Sequence, residues 1–122
     1  MVVMKFGGTS VKDKDAIGRL TSIVARELES SRATSPTDAQ GPVVVVSALA
    51  GVTDQLVALT RQVAGGDHGV IRTELDRLRQ RQLSLASEVL DDTRCLIFEE
   101  ELDGQLAALG TLAQALAVLR DL

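Results

Sequence analysis

The pattern of apolar residues begins with two short runs separated by a helical repeat. Residues 2–6 and 43–46 are mostly apolar, which is typical of strands covered on both faces in a parallel sheet. Between them, apolar residues recur every three or four positions over about residues 13–30, which predicts a helix whose start Thr9 and Ser10 can cap. Strand, helix and strand form one βαβ unit with an expected right-handed crossover.

The second half of the chain has helical periodicity almost throughout. It predicts one helix that Thr53 caps and two glycines end at residues 65–66, a second over about residues 70–90 and a third over about residues 95–122. Residues 30–42 are rich in Ser, Thr, Pro, Asp and Gly without an apolar period, which predicts a flexible loop. No linker or repeat divides the chain, so we expect one domain over residues 1–122.

The predicted fold class is α/β, a βαβ unit followed by about three helices. Two strands alone make a poor sheet, because their edges stay unpaired and their apolar faces stay uncovered. We therefore expect the chain to be part of a larger structure. The apolar residues 116–119 and the terminal Leu122 also favour continuation of the last helix.

Composition and charge argue against several functions. The 122 residues carry a net charge of −4, which disfavours nucleic-acid binding, and no apolar stretch approaches the roughly 20 residues of a membrane span. The single cysteine, Cys95, fits a reducing cytoplasm, and His68 has no second His or Cys at metal-ligand spacing. We expect a cytoplasmic protein without a metal, nucleic-acid or membrane partner. A series of arginines is typical of an exposed helix face: Arg72, Arg77, Arg79 and Arg81.

The first chemical motif, KFGGTS, follows the first predicted strand at residues 5–10. Lys5 supplies a positive charge at the carboxyl end of a strand, where α/β sheets bind ligands. Gly7 and Gly8 let backbone N–H groups approach an anion, and the helix that follows offers its positive dipole end. These features predict a phosphate-binding loop. Taken alone, a lysine and two glycines fit an ordinary strand-ending turn at least as well.

The second motif, SALAGVTD, follows the other strand at residues 47–54. If the two strands are parallel neighbours, its loop lies at the same sheet edge as Lys5, and the hydroxyls of Ser47 and Thr53 face one cleft. The small residues around Gly51 leave room for a ligand. The alternative is structural: Ser47 ends a strand and Thr53 caps a helix.

Together, KFGGTSV and VVVVSALAGVTD resemble the aspartate kinases of the amino acid kinase superfamily. A lysine with two glycines also fits kinases of acetylglutamate, glutamate, carbamate and UMP. The extension to GTSV and the placement of the second motif are more specific to aspartate kinases. The resemblance implies the N-terminal part of a three-layer αβα amino acid kinase domain.

The resemblance also implies a reaction. ATP, as its Mg²⁺ complex and not tightly bound, phosphorylates the side-chain carboxylate of L-aspartate to 4-phospho-L-aspartate, the first step towards lysine, threonine and methionine. Lys5 would be the catalytic cation that holds the transferring phosphoryl oxygens. Ser47 would lie near phosphate and substrate, and Thr53 near the aspartate. The ATP- or phosphate-binding residues implied by the resemblance are Lys5, Phe6, Gly7, Gly8, Thr9, Ser10 and Ser47.

Only the front half of the family's site matches. The acidic residue that grips the substrate amino group, the arginine for its α-carboxylate and much of the ATP site are expected beyond Leu122. We therefore expect the 122 residues alone to be inactive and to self-associate, and the kinase to be a homo-oligomer. The alternatives are a non-catalytic, oligomerising interaction module derived from an amino acid kinase, and a kinase for another small carboxylate.

Overall fold

The computed structural model of this chain describes residues 1–34 and 41–120. Two compact units make up the chain, Met1–Ala50 and Gly51–Leu122. Part of the predicted loop, residues 35–40, lies outside the described residues, as do residues 121–122 of the last predicted helix. The expectation of one kinase domain over residues 1–122 stays a prediction.

The first unit contains a parallel two-stranded sheet. Strand β1, Val3–Phe6, pairs with β2, Val43–Val46, in the register that places Val3 opposite Val43 and Phe6 opposite Val46. A 3-10 helix, Gly8–Val11, and helix α1, Lys14–Thr34, lie between the two strands in the chain. The predicted strands and their parallel pairing are confirmed.

Helix α1 differs from its prediction at both ends. The N–H of Ala16 donates to Oδ1 of Asp13 at 2.8 Å, so Asp13 caps the helix, and the expectation that Thr9 and Ser10 do so is wrong because they lie in the 3-10 helix. At the other end α1 reaches Thr34, so residues 30–34 of the predicted loop are helical. The prediction followed the apolar repeat, which stops near residue 28, whereas a helix can continue through polar residues on an exposed surface.

The strands are less covered than the sequence predicts. Val44 and Val46 are 37% and 55% exposed as whole residues, and Val3 is 60% exposed. Within the described part of this unit, α1 packs mainly against the 3-10 helix. The apolar runs therefore form strands, as expected, but the helices that would cover a central parallel sheet on both faces are not supplied by the described residues of this unit.

The second unit is built from three helices, as predicted. They are α2, Val52–Ala64, α3, Val70–Val89, and α4, Asp92–Arg120. Their buried core combines large residues of α2 and α3 with small residues of α4, which let the helices approach closely: Leu59, Val63, Ile71, Ala113 and Ala117.

Two of these helices start earlier than predicted. Gly51, with φ +84°, is the N-cap of α2, so Thr53 lies inside the first turn and the expectation that it caps the helix is wrong. The N–H of Arg94 donates to Oδ1 of Asp91 at 2.8 Å, and this cap starts α4 at Asp92. Gly65 and Gly66 end α2 as predicted, with N–H bonds to the carbonyls of Arg61 and Val63.

Helix α4 departs from the expectation that no apolar stretch approaches the length of a membrane span. By length and composition alone it could cross a membrane, since an 18-residue window has a mean hydropathy of 1.3, a property also found in core helices of soluble proteins. Much of its apolar surface is open. Leu112, Leu116 and Leu119 line a groove of about 580 Å³ between α2 and α4.

An ion-pair cluster joins α3 to α4. The Arg79 guanidinium donates from Nε to Oδ1 of Asp103 at 2.6 Å, and from Nη2 to Oε1 of Glu99 at 2.6 Å. A further bond of 3.1 Å from Nη2 to Oδ2 makes the Asp103 pairing bidentate. The hydrogen bonds with Arg79 lower the pKa of Asp103, and those with Asp103 and Glu99 raise the pKa of Arg79. Arg79 is thus a half-buried contact between helices, whereas Arg72, Arg77 and Arg81 of the predicted arginine face are exposed, as expected.

We expect two glycines of α4 to respond oppositely to alanine. A Cβ at Gly104 meets nothing within 4 Å, so Gly104→Ala should stabilise the helix by about 1 kcal/mol. A Cβ at Gly110 would lie 3.0 Å from Cδ1 of Leu75, which is packed against the core, and this crowding should cancel the gain or reverse it. Urea unfolding followed by circular dichroism measures both, and equal stabilisation would contradict the packing described.

Acid should weaken the Arg79 cluster. Because the pKa of Asp103 is lowered from its ordinary 3.8 in the folded chain, its stabilisation is complete above pH 3.8 and is lost as the pH falls through the lower folded value. Asp103→Asn should therefore lose less stability than the wild type between about pH 5 and pH 2, by a small margin because the pair is exposed. Identical pH profiles of the unfolding midpoint would show that the pair contributes nothing.

Candidate functional site

The turn after β1 is short and tight. Gly7 has extended backbone, φ −77° and ψ −178°, and its carbonyl accepts the N–H of Ser10 at 3.0 Å. The 3-10 helix Gly8–Val11 then starts directly, anchored by the buried Val11. The first N–H groups of a helix have no carbonyl partner within it. The 3-10 helix therefore begins just beyond the strand end, the position at which a phosphate-binding loop would offer backbone donors.

The parallel register brings the two predicted motif loops together at Ser47. Its N–H donates to the carbonyl of Phe6 at 3.0 Å, directly after β2 ends. A Cβ built on Gly8 would lie 3.9 Å from Oγ of Ser47 and 4.0 Å from the carbonyl oxygen of Ala48. The expectation that these two loops share one sheet edge is confirmed for Gly8, Ser47 and Ala48.

The fold itself does not require glycine at positions 7 and 8. A Cβ at Gly7 meets nothing within 4 Å, and its φ of −77° is open to any residue. At Gly8 a Cβ would make only ordinary van der Waals contacts. Neither backbone strain nor packing accounts for Gly7, where the space within 4 Å of a Cβ is empty. An open backbone of this kind permits close approach of a ligand.

Lys5 and Phe6 of the first motif lie on opposite faces of the sheet. Side chains alternate along a strand, and Lys5 is exposed on the face opposite the half-buried Phe6. Phe6, Thr9 and Ser10 line a groove of about 420 Å³ at the start of α1. The structure therefore brings Phe6, Thr9 and Ser10 together in one groove, and Lys5 is not among the residues that line it.

Two cations line the same groove and were not predicted as site residues. They are Lys12, just after the 3-10 helix, and Arg19, in the second turn of α1. The helical spacing of Ala16, Arg19, Leu20 and Ile23 could have indicated that Arg19 shares the face that lines the groove. The glycine motif by itself does not indicate Arg19, because that residue lies nine or more positions further along the chain.

Thr53 belongs to the second unit. It is exposed in the first turn of α2, directly after the turn formed by Gly51. Its predicted place beside the acceptor substrate stays a prediction. Among residues 1–34 and 41–120, no group of three or more His, Cys, Asp or Glu side chains is placed to hold a metal ion.

Comparison with known proteins gives one family. Residues 1–119 match the sequence profile described as the Amino acid kinase family. The lysine-sensitive aspartokinase 3 of Escherichia coli (strain K12) is 34% identical over 118 residues, which cover 97% of this chain and 22% of that protein. The aspartokinase of Rickettsia bellii (strain RML369-C) is 31% identical over 121 residues, 99% of this chain and 26% of that protein.

A third relative matches the chain over a shorter stretch. The aspartokinase of Rickettsia felis (strain ATCC VR-1525 / URRWXCal2) is 39% identical over 64 residues, 52% of this chain and 14% of that protein. The chain thus spans about a quarter or less of the length of these curated relatives. The resemblance to the N-terminal portion of aspartokinases is confirmed.

The glycine turn yields a test that separates folding from binding. Gly7→Ala should leave the circular dichroism spectrum and unfolding midpoint unchanged, because its Cβ meets nothing within 4 Å. Affinity for Mg²⁺-ATP, measured by calorimetry on the protein at its full natural length, should fall about tenfold or more, since the methyl group would occupy the ligand's space.

The matched control is Gly18→Ala in α1, where a Cβ also meets nothing within 4 Å. It should leave the affinity and the circular dichroism spectrum unchanged, while the unfolding midpoint rises as for any unobstructed alanine inside a helix. Unchanged affinity in Gly7→Ala would show that no ligand approaches this turn.

Proposed function

Because this chain belongs to the amino acid kinase family, we propose that its residues form the front part of the active site of an aspartokinase. The observation that carries the proposal is the meeting of the glycine turn after β1 with Ser47 after β2 at one sheet edge. The printed names of the relatives, all aspartokinases, favour aspartate as the acceptor. The activity is proposed for a protein of the relatives' length, of which the chain spans 14–26%.

The proposed reaction joins two anions. An oxygen of the aspartate side-chain carboxylate attacks the γ-phosphorus of ATP, and the bond from that phosphorus to the β–γ bridging oxygen breaks. The products are 4-phospho-L-aspartate and ADP, whose terminal phosphate oxygen keeps the bonding electron pair. The transferred group carries negative charge throughout, so positive charge and alignment of the reactants are what the protein must provide.

Three groups of this chain are assigned to those tasks. The Lys5 ammonium, exposed on β1, holds the oxygens of the transferring phosphoryl group. The backbone N–H groups at Gly7 and Gly8 bind ATP phosphates, and the Ser47 hydroxyl, close to Gly8, contacts phosphate and acceptor. Mg²⁺ enters with ATP as part of the substrate.

Thr53 is assigned to the acceptor. Its hydroxyl stands in the first turn of α2, next to the helix N-terminus, whose dipole favours a carboxylate. Phe6, Thr9 and Ser10 line the groove beside the glycine turn, where they shape the nucleotide side of the site.

The proposed cellular setting follows from the same reaction. We propose a cytoplasmic homo-oligomer that supplies 4-phospho-L-aspartate towards lysine, threonine and methionine, with no nucleic-acid or membrane partner. The net charge of −4 supports the first of these exclusions. The exposed apolar residues of β2 and α4 support association with further protein surface.

A kinase for another small carboxylate is the competing function. The two functions are distinguished by giving the full-length protein aspartate, glutamate, N-acetylglutamate and carbamate in turn and measuring ADP release. Hydroxylamine converts an acyl phosphate to a stable hydroxamate, which identifies the product directly. Turnover with another acceptor and none with aspartate would overturn the proposal.

Removal of the lysine charge should act on the chemical step. In the protein at its full natural length, Lys5→Ala should lower kcat by several orders of magnitude, because a charge that stabilises the transition state is lost. Lys14→Ala, which removes the same charge from the exposed first turn of α1, is the matched control and should leave kcat unchanged. A kcat of Lys5→Ala within about threefold of wild type would remove Lys5 from the mechanism.

Thr53→Val is the contrasting variant in the same assay. It removes only the hydroxyl at nearly constant volume, so it should raise the KM for aspartate more than it lowers kcat. Thr60→Val, on the same helix, removes a hydroxyl that bonds the carbonyl of Leu56 at 2.9 Å and should leave that KM unchanged. A change confined to the KM for ATP would place Thr53 on the nucleotide side instead.

A further inference from the structure

Helix α2 is bounded by two glycines with left-handed backbone. Gly51 precedes the helix with φ +84°, and Gly66 follows it with φ +91°. Within residues 1–34 and 41–120, these are the two glycines with positive φ. Each lies against an arginine from another helix, Gly51 against Arg81 of α3 and Gly66 against Arg120 of α4. An arginine therefore stands at each end of α2.

The contact at Gly51 is made with the whole guanidinium group. A Cβ built on Gly51 would lie 3.2 Å from Nη1, 3.7 Å from Nη2 and 3.9 Å from Cζ of Arg81. The guanidinium thus occupies the space beside the bare Cα. A side chain at position 51 would be strained by the positive φ and would also displace Arg81. The turn that starts α2 and the position of Arg81 are consequently coupled.

The two arginines stand at electrostatically opposite ends of the helix. Arg120 lies at the carboxyl end of α2, where the helix dipole favours a cation. Arg81 lies at the amino end, where the dipole favours an anion. The dipole of α2 therefore accounts for the position of Arg120 and opposes that of Arg81. The packing against the Gly51 turn, and not the dipole, is therefore the observation that bears on the role of Arg81.

We propose that Arg81 is a positioning residue for the acceptor substrate. It holds the Gly51 turn, and through that turn the first residues of α2, including Thr53, in the orientation that receives the acceptor's carboxylate. The inference rests on the proposed function, because Thr53 and the amino-acid acceptor belong to it. Arg81 touches neither reactant in this role, and acts through the backbone of Gly51.

The test uses the protein at its full natural length. Arg81→Ala should raise the KM for aspartate about tenfold, with the KM for ATP and the unfolding midpoint unchanged. Arg81→Lys should behave like Arg81→Ala, because a single ammonium cannot cover the Gly51 backbone as the flat guanidinium does. Millimolar guanidinium ion should lower the KM for aspartate of Arg81→Ala most of the way to the wild-type value. Ammonium ion should not.

The matched control is Arg77→Ala. Arg77 lies one turn earlier on α3 and bonds the Glu74 carboxylate of its own helix at 2.7 Å. It should leave both KM values unchanged. Gly51→Ala provides an independent check, since it displaces Arg81, and combined with Arg81→Ala it should raise the aspartate KM less than the product of the two single effects.

The outcomes separate the inference from the function it rests on. A wild-type protein that phosphorylates aspartate while Arg81→Ala keeps its aspartate KM would overturn the inference alone. Equal increases in the KM for aspartate and the KM for ATP would also overturn the inference. So would a lowered unfolding midpoint that guanidinium ion restores together with activity. Either result would mark a purely structural arginine. A wild-type protein without turnover on aspartate would overturn the proposed function, and the role of Arg81 towards that acceptor with it.

Discussion

The parallel pairing of β1 with β2 is the constraint on which the candidate site depends. Four residue pairs, from Val3 with Val43 to Phe6 with Val46, set the register. Because side chains alternate along strands, a shift by one residue would exchange the faces of Lys5 and Phe6 and separate Ser47 from Gly8. The ladder continues through the bond from Ser47 to the Phe6 carbonyl, so the sheet and the start of the second loop form one hydrogen-bonded system.

The region around the glycine turn combines buried anchoring residues with an open backbone. Val11 and Ala16 are buried and hold the 3-10 helix and α1 together, whereas the space above Gly7 is open. Such an arrangement costs stability, because glycine loses more freedom on folding than other residues do. An exposed lysine on one sheet face and Lys12 with Arg19 on the groove side supply positive charge to this region.

In the three-helix unit, small residues allow close packing of the helices and arginines connect neighbouring elements. Gly110, Ala113 and Ala117 are buried and allow α4 to lie close to its neighbours. Arg79 crosses from α3 to carboxylates of α4, and Arg81 and Arg120 lie on the two glycines that bound α2. These three arginines thus contact neighbouring elements of the unit, Arg79 from a half-buried position and Arg81 and Arg120 from exposed ones.

Local chemistry was enough to predict the elements and the loop that carries the candidate site. Periodicity predicted two strands and four helices in the right order, and Gly65 and Gly66 predicted the end of α2, because burial pattern and glycine conformation are properties of nearby residues. Helix ends were predicted less well. Asp13, Gly51 and Asp91 start their helices through bonds or backbone angles that the apolar repeat does not report.

Contacts between distant residues were decided by the tertiary structure alone. The approach of Gly8 to Ser47, the groove that joins Phe6 to Arg19, and the different surroundings of Arg77, Arg79 and Arg81 depend on which faces meet. The sequence pattern predicted an exposed helix face for all three of these arginines. Arg79 meets α4 and Arg81 meets Gly51 because the angles between packed helices set those distances, and a one-dimensional pattern contains no such angles.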